Sequence, residues 1–381
     1  MSKGKFSIGL TCTYIGATCA LAIGAGFSSG QELLQYFVAY GWKMMLVALM
    51  FAIIFIYVNY QCASKGRKWN MSEGSEIFEL YCGKHLGKFF SWFCGLFCYL
   101  SFIIMLSGAG TTLFQQYGLP VAVGTIIMGV LAVLVAIMGL QGIVDVIAKV
   151  APVIIVLVLG IAVITLFTHL GSVAPNIQQV EAGAYSDVME KVGANWFEAG
   201  LSYGGFMILW FVGFMANLGV KTRDEGGFPE LITGNVIGSL IYTIACVLCA
   251  CALVSEVSLT ASQGIPNLVL ANQIWPPLAT IFAVIIYAAI FTSACPLLYN
   301  ATTTVAKEGT GKYRITVLVA AAIALAVAIF IPYQGLVNVI YGYCGYIGAI
   351  LFFIMVIQDI RFKVTGKQAV AVAGEEAAKQ D

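Results

Sequence analysis

The sequence predicts an all-α integral membrane protein with about ten transmembrane helices, arranged as two inverted five-helix repeats. Of the 381 residues, 60% are hydrophobic and only 10% are charged, whereas a soluble domain carries about 25% charged residues. Apolar runs of about 18 residues or more recur along the chain, and each is long enough to cross a bilayer. Glycine-rich interruptions in the first and sixth runs predict the repeats, with helices 1 and 6 broken.

Ten spans follow from the apolar runs, and Gly or Pro stands at many of the turns between them. Their approximate bounds are 8–39, 43–63, 89–115, 119–139, 142–168, 194–219, 228–254, 276–305, 315–332 and 336–358. With the N-terminus inside, sixteen of the 19 Lys and Arg residues fall in cytoplasmic segments, Lys43 and Lys191 fall outside, and Lys149 lies within a span. This bias predicts a multi-pass protein of the cell membrane with both termini in the cytoplasm.

The spans divide the chain into four segments. Residues 1–169 form the first repeat, 170–192 an extracellular loop, 193–360 the second repeat, and 361–381 a cytoplasmic tail whose composition predicts disorder. Residues 72–90 predict an amphipathic helix that runs into the third span. Residues 264–275 predict a short helix outside the membrane.

Several classes of function are excluded by residue type. Nearly all of the eleven cysteines lie within apolar spans, where packing as small hydrophobic residues explains them. His85 and His169 have no Cys or Ser partner in sequence, and the chain has no HExxH, GxSxG or paired intramembrane aspartates. The protein is therefore not expected to be an enzyme. The basic residues are scattered among loops, so no nucleic-acid partner is expected.

The first span contains the segment IGAGFSSGQE, residues 23–32, which is poorly suited to a lipid-facing helix. A helix over 8–40 would be roughly 50 Å long, and the hydrocarbon core is only about 30 Å thick. Three glycines disfavour helix, and Ser28 and Ser29 can bond backbone groups that a break sets free. Non-helical backbone at membrane depth lies within protein or lines a cavity. The segment is therefore a candidate binding site.

The sixth span contains GLSYGGFM, residues 200–207, which predicts a second break. Interruptions at matching positions of two halves are typical of transporters with inverted repeats, whose substrate site lies between the broken helices. The alternative is that these small residues only let neighbouring helices approach closely.

Ten spans with breaks in the first and sixth resemble the LeuT fold of the amino acid–polyamine–cation superfamily. The segment GAGFSSGQE is similar to the first helix of YkvI-type amino acid permeases. The eighth span reads YAAIFTSACPLL, and the resemblance implies a sodium site formed by the hydroxyls of Thr292 and Ser293 and the carbonyls of Ala289, Gly24 and Phe27. Alternatively, both hydroxyls only bond the backbone of their own helix.

The resemblance also bears on coupling. The segment AKVAPVIIVLVLG, residues 148–160, resembles the fifth span of proton-coupled permeases, where a lysine amine replaces sodium. Lys149 is thus a proton candidate, unless it reaches the cytoplasmic interface beside Asp145. Gln31 and Gly200 stand where the fold's second sodium site has an asparagine and a threonine, so one hydroxyl ligand of that site is missing.

Glu32 is the other charge at membrane depth. A lipid-exposed carboxylate would cost several kcal/mol, so Glu32 should face the protein interior or water. Its expected partners are a substrate amine, an ion or a polar side chain such as Gln31. It is also a candidate proton site, and the alternative is a purely structural acid.

A zwitterionic amino acid of small or medium size is the expected substrate. Free N–H groups of the half-helix near Ser28 suit a carboxylate, and carbonyls freed in the sixth span suit an ammonium group. The substrate-binding residues expected are Gly26, Ser28, Ser29, Gly30, Ala199, Ser202, Tyr203, Gly204, Gly205 and Phe206. The resemblance implies symport by alternating access. The adjacent hydroxyls of Thr292 and Ser293 favour sodium over the proton as coupling ion, and no cofactor other than bound sodium is expected. A sensor of the same fold, which binds without transporting, is the other alternative.

Overall fold

The computed structural model describes residues 6–69, 71–138 and 144–365, and the side chains of residues 25, 144–152 and 224 lie outside the description. The described part is helical and has no strand. Its helices are α1 (Ile8–Ala22), α2 (Ala25–Ser29), α3 (Gln31–Tyr36), α4 (Met44–Lys68), α5 (Glu76–Tyr117), α6 (Val121–Met138), α7 (Val144–His169), α8 (Val173–Glu181), α9 (Trp196–Glu225), α10 (Phe228–Ser255), α11 (Val257–Thr260), α12 (Pro266–Ile274), α13 (Pro276–Thr303), α14 (Gly311–Phe330), α15 (Tyr333–Leu336) and α16 (Gly342–Thr365).

The helices match the ten predicted spans in order. Spans 2 to 5 are α4 to α7, span 6 is α9, span 7 is α10, and spans 8 and 9 are α13 and α14. Span 1 comprises α1 to α3, and span 10 comprises α15 and α16. Within the described residues, nine helices are long and apolar enough to cross a membrane, and α1 is a shorter apolar helix. The predicted all-α membrane architecture is thus confirmed.

The two predicted helices outside the spans are also present. The helix expected between spans 7 and 8 is α12, and the amphipathic helix expected before span 3 forms the first turns of α5. Gly83 separates those turns from the rest of α5 with φ 74°, a conformation that favours glycine. The predicted tail beyond residue 365 lies outside the described residues.

A buried ion pair joins span 2 to span 10. Lys65 Nζ lies 2.6 Å from Asp359 Oδ1, and both side chains are at most a tenth exposed. Tyr57 donates a hydrogen bond of 2.7 Å to Asp359 Oδ2, and the Tyr81 hydroxyl lies 3.1 Å from the same oxygen. The Lys65 ammonium also lies 4.6 Å from the centre of the Tyr81 ring. These contacts satisfy both charges away from water.

Span 1 is broken where the glycines predict it. The chain leaves the helix at Ile23 and is extended at Gly24, with φ −94° and ψ −170°. A second discontinuity lies at Gly30, whose φ of 88° separates α2 from α3. Only glycine takes this conformation without strain. Span 1 therefore consists of three short helices rather than one over-long helix.

Span 6 is not broken, and that prediction is wrong. α9 is one continuous helix from Trp196 to Glu225. Its glycines provide room for neighbouring helices instead. A Cβ added at Gly204 would lie 2.8 Å from Ile54 of span 2, and one at Gly205 would lie 2.7 Å from Ala349 N and closer still to the Gly345 carbonyl oxygen of span 10. Close helix packing, the alternative interpretation of GLSYGGFM, is the physical reason for these small residues.

Candidate functional site

The broken part of span 1 is almost entirely buried. Phe27, Ser28 and Ser29 are fully buried, and Gln31 is 1% exposed. The Ser28 hydroxyl donates to the Gly24 carbonyl at 2.9 Å, and the Ser29 hydroxyl donates to the Gly26 carbonyl at 2.8 Å. The two serines therefore satisfy carbonyls that a continuous helix would have bonded. The break is held within protein rather than exposed to lipid.

Glu32 lies directly beside this break. Its side chain is 3% exposed, in the first turn of α3. The carboxyl group occupies the space where a side chain on Gly26 would begin, because a Cβ there would lie 2.6 Å from Glu32 Cγ and closer to the carboxyl atoms. Within the described residues, Glu32 forms no ion pair and its carboxyl group has no hydrogen-bond donor. A buried carboxylate without a partner is costly, so the site calls for a positively charged or proton-bearing partner.

Tyrosines of spans 1, 6, 7 and 10 lie close to the carboxyl group. The hydroxyls of Tyr36, Tyr203, Tyr242, Tyr333 and Tyr341 lie within electrostatic range of Glu32. Tyr36 and Tyr203 meet edge to face at 5.1 Å between ring centres, and the Phe206 and Tyr341 rings stack at 4.5 Å. Most of these hydroxyls are paired: Tyr203 with Tyr242 at 2.9 Å, and Tyr333 with Ser29 at 3.0 Å.

Three buried polar atoms near this cluster have no hydrogen-bond partner among the described residues. They are Gln31 Oε1, Trp210 Nε1 and the Tyr341 hydroxyl oxygen. The Trp210 and Tyr341 rings are perpendicular, with centres 5.7 Å apart. Tyr341 ends a π-helical turn, Val337–Tyr341, and such turns are frequent at functional sites. Buried polar atoms normally have a partner, so these three are available to water or a ligand.

Four of these aromatic residues were not singled out in the sequence. They lie in or beside apolar runs rich in aromatic residues, where nothing local distinguishes them from ordinary packing residues: Tyr36, Tyr242, Tyr333 and Tyr341. Tyr203 and Phe206, predicted as substrate-binding residues, do lie in the cluster. Ser202 reaches its edge, because its hydroxyl pairs with Tyr36 at 3.3 Å and donates to the Gly342 carbonyl at 3.0 Å.

The other predicted residues of span 6 have different roles. Gly204 and Gly205 pack against spans 2 and 10, and Ala199 lies within the continuous helix α9. Carbonyls within a helix already accept backbone hydrogen bonds, so this segment does not offer the freed oxygens that were expected. The ammonium-binding group expected here is missing, and Glu32 is the acidic group that the cluster contains. The side chain of Lys149 lies outside the described residues.

The oxygens of the predicted sodium site already take part in hydrogen bonds. Thr292 and Ser293 both donate to the Ala289 carbonyl, at 2.8 and 3.1 Å. The Gly24 carbonyl accepts two bonds from Ser28, and the Phe27 carbonyl accepts bonds from Gly30 N and Asn267 Nδ2. The two hydroxyl oxygens keep their lone pairs after donating, and hydroxyl oxygens suit a hard cation. The span-1 carbonyls would have to exchange a hydrogen bond for the ion.

One side of the break is closed by α12. Asn267 Nδ2 donates to the Ser28 carbonyl at 3.0 Å and to the Phe27 carbonyl at 3.3 Å. Gly30 leaves no space here, since a Cβ would lie 2.9 Å from Asn267 Oδ1. Two reciprocal hydrogen bonds of 2.9 Å, between the Gln115 amide and the backbone of Ile265, fasten the segment before α12 to span 3. The loop helix thus covers the discontinuity.

Comparisons with known proteins agree with this architecture. No protein-family model matches the chain. Two Bacillus subtilis proteins share sequence with it: the uncharacterized protein YyaD, 32% identical over 98 residues, and the uncharacterized membrane protein YkvI, 28% identical over 127 residues. The matches cover 26% and 33% of this chain, and only 28% and 35% of those relatives.

Two solved structures resemble the chain over most of its length. One is Mhp1, a nucleobase-cation-symport-1 family transporter, in a closed conformation with bromovinylhydantoin bound. It has a TM-score of 0.55 at 14% identity, over 87% of this chain and 74% of its own. The other is MhsT in complex with L-phenylalanine, with a TM-score of 0.52 at 13% identity, over 95% of this chain and 90% of its own. Both have the LeuT fold, and this membrane protein therefore has the LeuT fold as well.

Proposed function

We propose that the protein is an ion-coupled secondary transporter of a small amine-bearing solute, with an amino acid or related zwitterion as the first class to test. The observation that carries the proposal is the buried Glu32 carboxyl group, which lies at the break in span 1 and lacks a partner in the described residues. The LeuT fold supports a transport function, because the transporter Mhp1 and the L-phenylalanine-binding protein MhsT share this fold.

An ammonium group is the chemical complement of this site. Glu32 would supply the opposite charge, and the faces of the surrounding tyrosine rings attract cations when water is excluded. The aromatic cluster also has polar atoms that are free to accept or donate hydrogen bonds, Gln31 Oε1 and the Tyr341 hydroxyl. A substrate amine therefore gains an ion pair, ring contacts and hydrogen bonds in one place.

The substrate carboxylate would bind near the start of α2. The amide N–H groups of Gly26 and Phe27 are in the first turn of that helix and donate no hydrogen bond within the described residues. First-turn N–H groups have no partner within their own helix. The half-helix thus keeps the carboxylate-binding role expected from the sequence, and Glu32 takes the place of the span-6 carbonyls as partner of the ammonium group.

Sodium is the favoured coupling ion. Thr292, Ser293, Ala289, Gly24 and Phe27 would bind it between span 8 and the break, so that ion and substrate both depend on the geometry of span 1. The alternative is proton coupling, through Lys149 or Glu32. A same-fold sensor would bind the same ligands and not move them.

Uptake into proteoliposomes distinguishes these functions. We expect uptake of at least one labelled amino acid under an inward sodium gradient, and little uptake when potassium replaces sodium. Glu32→Gln should abolish uptake and ligand-induced thermal stabilisation, whereas Glu225→Gln, which alters an exposed acid at the end of span 6, should preserve both. Uptake that survives without sodium but is lost in Lys149→Ala would favour proton coupling. Binding with no uptake under either gradient would favour a sensor.

A second pair of variants tests the geometry of the site. Gly26→Ala places a methyl group against the Glu32 carboxyl and should abolish ligand binding. Gly16→Ala, in α1 with open space around it, is the matched control and should bind normally. Equal binding by both variants would contradict the placement of the substrate beside Glu32.

A further inference from the structure

A second candidate ligand site lies on the outer surface of the helices, away from Glu32. It is a groove of about 510 Å³ between spans 3, 8 and 9, and its lining includes Trp92, Gly95, Tyr99, Thr302, Thr316 and Val319. Close contacts form its floor. A Cβ on Gly95 would lie 2.8 Å from Thr304 Oγ1, and the Tyr99 hydroxyl donates to the Ala320 carbonyl at 2.9 Å.

The walls of the groove are apolar and exposed. Trp92 is 54% exposed and Val319 is 53% exposed, although both lie on membrane-spanning helices. The hydroxyl of Thr302 donates to the backbone of its own helix, and so does that of Thr316, so neither requires water. In a bilayer this surface faces hydrocarbon, and an acyl chain is the molecule available to fill it.

Each of the three helices that form the groove has a lysine at the same end of the groove. Lys88 is one helical turn before Trp92 in α5, and Lys312 is one turn before Thr316 in α14, so each lies on the face that lines the groove. Lys307 follows the third wall, four residues after the end of α13. The three lysines are exposed and form no ion pair with any residue of the described ranges. The nearby acid Glu308 is bonded to the Tyr299 hydroxyl at 2.5 Å.

We propose that this groove binds an anionic phospholipid. One acyl chain lies along the groove from Lys312 towards Ile323, a distance of roughly 16 Å at 1.5 Å per residue. The phosphate lies among Lys88, Lys307 and Lys312. Lysines near a bilayer surface attract anionic headgroups, and basic pockets between membrane helices select them. The lysines lie on the side predicted to be cytoplasmic.

A second groove in the structure shows what the lysines add. This groove has a volume of about 400 Å³ and lies between spans 5 and 7. Its lining includes Leu166, Leu170, Val173, Ile244, Val247 and Leu248. It is just as apolar, but no Lys or Arg lies within one helical turn in sequence of its lining residues. An acyl chain alone would fill both grooves without headgroup preference. Of these two grooves, the first alone combines a chain-sized slot with three positive charges at one end.

Bromine quenching of Trp92 fluorescence tests the proposal independently of transport. The protein is reconstituted in phosphatidylcholine vesicles that contain increasing fractions of brominated phosphatidylglycerol or brominated phosphatidylcholine. The signal from Trp92 is the difference between the unmodified protein and Trp92→Phe. We expect this signal to report binding of phosphatidylglycerol at least about fivefold stronger than binding of phosphatidylcholine.

Charge variants distinguish binding of an anionic headgroup in the groove from general attraction of anionic lipids to the basic surface. Lys88→Gln, Lys307→Gln and Lys312→Gln together should reduce the preference to about one. The matched control, with Lys221, Arg361 and Lys363 changed to Gln, removes as many charges from the same side and should keep it. The proposal is overturned if the unmodified protein shows no preference, or if both triple variants lose it equally.

Discussion

Replacing Gly205 with alanine should separate span 6 from span 10 and lower the stability of the protein. The added Cβ would lie 2.7 Å from Ala349 N and closer to the Gly345 carbonyl oxygen, whereas real Cβ atoms essentially never approach other heavy atoms within 3.0 Å. Both neighbours are backbone atoms, so no side chain can turn aside to make room. The two helices must move apart, and the contact of Gly348 with Gly205 would loosen as well.

The size of the effect follows from overpacking. Forcing extra carbon into a packed interface costs about 1–3 kcal/mol. At roughly 2–4 °C per kcal/mol, the melting temperature in detergent should fall by about 2–12 °C. The assay is size-exclusion chromatography after heating, which measures the fraction of protein that remains monodisperse. Gly213→Ala is the matched control in the same helix, because nothing lies within 4 Å of a Cβ there. Since alanine favours helix by about 1 kcal/mol over glycine, this control should be neutral or stabilising.

The same pair of variants tests the continuity of span 6. If Gly205 lay at a break beside the substrate, alanine would weaken ligand binding and leave the melting temperature unchanged. That outcome would refute the packing role. A fall in melting temperature confined to Gly205→Ala would support it.

Two further predictions concern contacts between distant parts of the chain. Asp359→Asn leaves the Lys65 ammonium buried without its partner and should lower the free energy of unfolding by about 3–5 kcal/mol, measured as a lower melting temperature. Lys65→Met combined with Asp359→Leu should recover most of this loss. Equal melting temperatures of the single and double variants would contradict the prediction. Asn267→Ala removes two hydrogen bonds from α12 to span 1, worth about 0.5–1.5 kcal/mol each, and should speed amide hydrogen exchange over residues 24–32 by roughly tenfold. Asn176→Ala, which removes two similar bonds to the end of α10, should leave exchange in that segment unchanged, and acceleration by both variants would refute a specific closure.

The two glycine-rich segments show why the sequence predicted the break in span 1 correctly and the break in span 6 wrongly. At Gly30 the backbone adopts a conformation that favours glycine, so the local sequence is sufficient. At Gly205 the reason for glycine is a carbonyl of residue 345, which is far away in sequence. Glycine serves both purposes, and only the position of its neighbours distinguishes them.

The residues of the candidate site differ in the same way, because some could be identified from the local sequence and others could not. Glu32 was identifiable because a charge within an apolar run is costly wherever the chain folds. Tyr242 and Tyr341 were not, since aromatic residues are frequent in such runs and acquire their role only when four spans converge on one carboxyl group.

The contacts among spans 2, 6 and 10 have a mechanical consequence. Backbone meets backbone at Gly219 against Ala63, at Gly66 against Ala216, and at Gly348 against Gly205, with no side chain between them. Such seams hold by close dispersion contact and weak Cα–H···O bonds, and they have no rotamers that could rearrange to let one helix slide along another. These three spans should therefore move as one rigid block. Opening of the covered break would then fall to α2, α3 and α12, which meet that block or each other through side chains and hydrogen bonds that can be exchanged.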